Sequence, residues 1–165
     1  IGLIPHTIFW VDYLVRSLEQ PISIGGFHWA LFGLGAIIGT TLWGCLADRI
    51  GFRLGLIFIF TSLSFGLIAP LLHPVATTLI ASSIIVGAQP GCSALLSGMV
   101  QQIFGPAGMP YVWRRMTLVG SIGQGVCAYL FVGIFDYTGS YLIVFLLGGA
   151  AMAAGALIFA ITKRP

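Results

Sequence analysis

The chain has 165 residues, of which 58% are hydrophobic and only 7% charged, with a formal net charge of +3 and a mean hydropathy of +1.06. Soluble domains carry about 25% charged residues, so this composition excludes a water-soluble globule and leaves a polytopic membrane protein whose solvent is the bilayer. The small net charge excludes a nucleic-acid surface. Cys45, Cys92 and Cys127 stand singly in apolar runs, which excludes a disulfide framework or zinc site, and no cofactor is expected.

A helix crossing the roughly 30 Å hydrocarbon layer takes about 20 apolar residues. On that measure the chain divides into six segments: 1–17, which is short, then 29–46, 54–72, 75–104, 116–135 and 141–162. None alternates with period two, so the fold class is all-α, a bundle of transmembrane helices rather than a barrel. Residues 1–20 lack the basic start and cleavage site of a signal peptide. The chain opens at Ile1 without an initiator Met, and its first segment is short; both point to a fragment.

Charges collect in the connectors. Arg16 and Glu19 follow the first segment; Asp48, Arg49 and Arg53 the second; His73 and Pro74 the third; Arg114 and Arg115 the fourth; Asp136 the fifth; Lys163 and Arg164 the last. With alternating crossings, all the cations except Arg16 fall on one side. The positive-inside rule makes that side, and the C-terminus, cytoplasmic.

Glycine pairs at small-xxx-small spacing mark where helices meet, because lipid offers little hydrophobic drive for association. Gly35 with Gly39, Gly51 with Gly55, and Gly87 with Gly91 are such pairs, and a run of small residues extends from Gly148 to Gly155. Packing within the chain is the simpler reading of each.

Polar groups inside a span are costly, and each is a functional candidate. The first segment holds His6, Thr7 and Asp12; the fourth holds Gln89 beside Pro90; the fifth holds Thr117, Ser121 and Gln124. The third and sixth have nothing beyond Ser and Thr, which makes them outer supports around a polar interior. Pro90 bends its helix and frees carbonyls near Gly87, either to face a ligand or simply to shape the bundle. Gln124, between Gly123 and Gly125, offers its amide to a solute or to a neighbouring helix. His6 and Asp12 are candidates for proton coupling. Six positions turn through about 600°, so the two need not address one cavity, and Arg16 at i+4 gives Asp12 an alternative as an ion pair. Ser97 between Leu96 and Gly98 is a poor match to an intramembrane protease, and no filter-like loop suggests a channel. No enzymatic activity is expected.

The decapeptide GCLADRIGFR, residues 44–53, holds Asp48, Arg49 and Arg53 between two apolar runs. Gly44, Leu46, Ala47, Asp48, Arg49, Gly51, Arg53 and Leu56 resemble the G-x-L-a-D-r-x-G-r-k signature of the major facilitator superfamily, with Phe52 in place of a basic residue. PHTIFWVDYLVR at 5–16 and HWALFGLGAIIGTTLWGCLADRIG at 28–51 resemble the C-terminal half of its bacterial YbfB-like branch, over nearly the whole chain. The resemblance implies a twelve-helix transporter of a small solute in the bacterial plasma membrane, here missing its N-terminal six-helix half. It also implies a cytoplasmic gate latch at Gly44, Asp48, Arg49, Gly51 and Arg53; the polar census supplies His6, Asp12, Gln89, Pro90, Ser121 and Gln124 as candidates for a solute or proton pathway. A non-transporting membrane module, or a half-size homodimer, is the alternative.

Overall fold

The computed structural model describes residues 2–162; most of these are helical and none lies in a strand. Helix α1 (Ile4–Asp12) runs into a π-helical turn (Tyr13–Ser17), followed by α2 (Ile22–Ile50), α3 (Phe52–Leu72), α4 (Ala76–Gly87), α5 (Pro90–Thr138) and α6 (Tyr141–Ile161). Four helical stretches are long and apolar enough to cross a membrane: α2, α3, the run 76–138 and α6.

Several expected boundaries move. The second segment extends over the whole of α2, because Pro21 in extended conformation starts the helix and Gly51, at φ 86°, ends it. The same glycine turns the chain straight into α3, a conformation that side-chain-bearing residues rarely adopt. The fourth segment is split. At Ala88 and Gln89 the ladder shortens: the Gly91 amide, which a continuous helix would aim at Gly87, donates to Ala88 instead at 3.2 Å. The connector around Arg114 and Arg115 is not a loop but helix, and the real interruption is Gly105, at φ 69° and ψ 174°. Beyond it α5 continues through 106–138, about 50 Å at 1.5 Å per residue. Pro106 falls in the first turn after the break, where a missing amide is tolerated, so nothing stops the helix before Gly139. Lys163 and Arg164, expected at the cytoplasmic end, lie outside the described residues.

The most extensive contact joins α3 to α6. Leu56, Ile59, Leu63 and Leu67 on one stripe of α3 are fully enclosed, as are Val144 and Phe145 on α6. Within this chain α3 touches α2, α4, α5 and α6. Every long helix keeps an exposed apolar face: Ile37 and Leu42 on α2, Phe58 and Phe65 on α3, Val119, Ile122 and Tyr129 on α5, and Leu157 and Ile158 on α6.

Glycine sets the tightest crossing. Helices α2 and α4 run in the same direction, and a Cβ at Gly35 would strike the Ile84 backbone, one at Gly39 the Ala88 backbone, and one at Gly87 the Phe32 backbone. Below the break, a Cβ at Gly91 would lie 2.6 Å from the Trp43 ring. On α6, Gly148 meets the backbone of Gly2, and Gly149 and Gly155 receive Ile68 and Phe60. Each expected glycine pair thus contributes at least one residue to packing inside the chain. Gly44 is different: nothing lies within 4 Å of where its Cβ would be, so it makes no close approach here.

Replacing Gly87 by Val should lower the thermal unfolding midpoint by an amount corresponding to roughly 1–3 kcal/mol of overpacking. Gly26→Ala, in open space, should leave it unchanged or slightly raised. Thermal unfolding of the detergent-solubilised protein, followed by circular dichroism, distinguishes the two.

Candidate functional site

Three helices bring polar side chains together in the apolar interior. On α1, His6 and Trp10 are four residues apart and share a face; their rings stack with centroids 4.5 Å apart. On α2, His28 and Phe32 share the next face, and Phe32 covers the other side of His6 at 5.6 Å. On α4, Ser83 lies one turn before Gly87. Because Gly87 lets the α4 backbone press against Phe32, Ser83 falls level with His28.

The result is a buried hydrogen-bonded centre. The Trp10 indole N–H donates to Ser83 Oγ at 3.1 Å, and His28 Nδ1 lies 2.8 Å from the same oxygen. All three side chains are buried, as is His6 at 2% exposure. Neither ring nitrogen of His6 has a protein partner, nor does the buried hydroxyl of Ser82. Buried polar groups are almost always paired, which sets the His6 imidazole and Ser82 apart from the rest of the interior. Chemically the centre can hold and pass protons and can hydrogen-bond a polar solute. Among the described residues, no three His, Cys, Asp or Glu side chains converge as metal ligands would.

Sequence reasoning found His6 but missed Trp10, Ser83 and His28. It began the second span at Trp29, leaving His28 outside. A signal was present: His28 lies seven residues before Gly35 and eleven before Gly39, on the stripe that those glycines define.

Asp12 stands apart from this centre. It pairs with Arg16 Nε at 2.8 Å, the one ion pair among the described residues, and accepts a hydrogen bond from the Tyr141 hydroxyl. It thereby ties α1 to the start of α6, on a different face from His6, as the 600° turn suggested. Gln89 is half-buried at the break and Pro90 exposed, while Ser121 and Gln124 are exposed on α5 beyond Gly105. The structure does not bring these four into the His6 centre.

The decapeptide is resolved into separate duties. Asp48 and Arg49 are exposed in the last turn of α2 and do not pair with each other. Arg49 lies at one end of an apolar groove of about 850 Å³ between α2, α3 and α4. Arg53 crosses to α6, where Nε donates to the Phe159 carbonyl and Nη2 to the Ala160 carbonyl, both at 2.7 Å. These carbonyls belong to the last turn of α6, where no further helical amide can satisfy them and where a cation is favoured by the helix dipole.

Arg53→Gln should therefore loosen the end of α6 without unfolding the bundle. Hydrogen exchange should quicken several-fold at residues 158–162, with little change on α2; unaltered exchange at α6 would contradict this role.

Among known families, the model described as the uncharacterised MFS-type transporter YbfB matches residues 1–160. No curated protein and no solved structure matches the chain.

Proposed function

The chain belongs to the MFS-type transporters of the YbfB family, and from that premise we propose that it moves a small polar solute by alternating access across a bacterial plasma membrane. In this reading it is one six-helix half, the second bundle being the N-terminal half of the same protein, and the solute sits between the two. The observation that carries the reading is the buried His6, Trp10, His28 and Ser83 centre on α1, α2 and α4. Intramembrane ionisable groups of this kind line solute and proton routes. Proton coupling through His6 belongs to the same reading, whereas Asp12, held by Arg16 and Tyr141, serves the fold.

The exposed apolar faces of α2 and α5 fit this arrangement, since a second bundle would cover them. Ser121 and Gln124 then face the shared cavity, with Gln89 and Pro90 at the bend beside it. Asp48 and Arg49 project from the end of α2 with no ion-pair partner among the described residues, and the space beside Gly44 leaves room for another helix end. Together with Gly51 they form a latch to the other bundle, while Arg53 anchors α3 to α6. By the positive-inside rule, Arg49 and Arg53 support a cytoplasmic position for this end and for the C-terminus. The absence of Lys or Arg in the middle of any span argues against a strongly anionic solute.

The test is water access. In the intact protein with native cysteines replaced, a cysteine introduced at Gln124 should react with a membrane-impermeant maleimide many times faster than one introduced at Leu157 on α6. Equal rates at the two positions would defeat the cavity. Adding Asp48→Asn should change the rate at position 124 several-fold by releasing the latch, and an unchanged rate would remove Asp48 from the gate.

A further inference from the structure

The end of the bundle opposite the decapeptide carries a small cavity of about 310 Å³ between the α1–α2 turn and the start of α4. Leu18, Gln20, Phe27, Pro74 and Leu79 line it, and so does His28. His28 lies six residues into α2, about 9 Å along the axis from its first residue. His6 lies eleven residues back from Ser17, about 16 Å from that end, near the middle of a 30 Å layer. The cavity, His28, Ser83 with Trp10, and His6 thus form a file running from one membrane face toward the centre.

We propose that His28 is the group that loads protons from the face bearing the α1–α2 turn, its ring held by Ser83, which Trp10 fixes in turn; this rests on the transport reading above. The bonding at Ser83 supports it. An indole N–H can only donate, so Trp10 occupies one acceptor position of Ser83 Oγ at all times. With neutral His28, either the Ser83 hydroxyl donates to Nδ1, or Nδ1–H donates to Ser83 and Nε2 is left as a bare acceptor. A proton arriving from water in the cavity binds that bare nitrogen. The imidazolium then has two N–H donors, Ser83 accepts from both Trp10 and His28, and its own hydrogen turns away from Nδ1. When Nε2 returns its proton to water in the cavity, His28 is again neutral, with Nδ1–H on Ser83 and Nε2 bare. No other reagent is consumed.

Few other charges compete. On α1 the facing groups are His6 and, further out, Asp12 paired with Arg16; the turn carries Glu19, and His73 precedes α4. Helix α4 itself holds no titratable residue.

Trp10 is a built-in reporter, since it bonds to the serine that bonds to His28, and an imidazolium ring quenches a neighbouring indole. The experiment uses the intact protein, oriented in vesicles, with Trp29, Trp43 and Trp113 replaced by Phe. Lowering the pH outside the α1–α2 face from about 8 to about 5, the range in which histidine changes charge, should quench Trp10 sigmoidally. Acidifying the opposite compartment should not. His28→Asn should abolish the response and His6→Gln should keep it. Ser83→Ala, which leaves the imidazole in place, should reduce it, and a full response there would remove Ser83 from the link. A flat Trp10 signal, a response surviving in His28→Asn, or one driven only from the opposite side would overturn the proposal. The two readings fail separately. A protein that titrates this way yet moves no solute keeps the loading site and loses transport. One whose acid-driven uptake survives His28→Asn keeps transport and loses the loading site.

Discussion

The contact between α2 and α4 is the constraint on which the interior depends. In hydrocarbon, helices gain little from hiding apolar surface, and association relies on dispersion and hydrogen bonding at short range. Gly35, Gly39 and Gly87 let two backbones touch, so the face of α4 sits against α2 without intervening side chains. That approach sets the register of everything above it. With Phe32 against Gly87, one turn toward the opposite end places His28 against Ser83, and the antiparallel α1 lays Trp10 and His6 across the same seam. A wider crossing would leave Ser83 and His28 too far apart to bond, and each would then be a buried polar group without a partner.

The polar centre also shows why α3 and α6 are the most enclosed pair in this chain. They carry no groups needing water or a ligand, so both can be packed on several sides by aliphatic residues. Helices α2 and α5 keep one side for internal contacts and leave the other uncovered. The ion pair between Asp12 and Arg16 sits at the rim with Tyr141. There a charged pair can stay partly solvated, and the cost of burying it deep in the interior is avoided.

Much of this was legible in the residues. Hydropathy marked a helical membrane protein, Gly51 marked the turn between α2 and α3, and the glycine spacings marked close crossings, because each rests on local chemistry that a short stretch of sequence contains. What escaped depends on distance or on where a helix begins. The partners of Arg53, the Phe159 and Ala160 carbonyls, are more than a hundred residues away, and a carbonyl leaves no trace in side-chain pattern. His28 was lost because apolar character, not the stop at Pro21, was used to start α2. The helix around Arg114 and Arg115 was read as a connector because two adjacent charges interrupt the apolar run. Here the helix carries them through, and Arg115 lies over the Tyr111 ring at 4.2 Å.

The run from Ala76 to Thr138 is interrupted twice, and the two interruptions differ as mechanical parts. At Ala88 and Gln89 an unbroken helix lies alongside like a splint: α2 grips the chain above the break at Ile84 and Gly87, at it through Ala88, and below it at Gly91. That bend is a fixed elbow, and the pieces on either side of it must travel with α2 as one rigid body. At Gly105 nothing lies within 4 Å of a Cβ position, so the second break lacks the backbone clamp that α2 puts on the first. The seam holding His28 and Ser83 thus lies on the clamped side of the chain, and the long arm that follows Gly105 lies on the unclamped side.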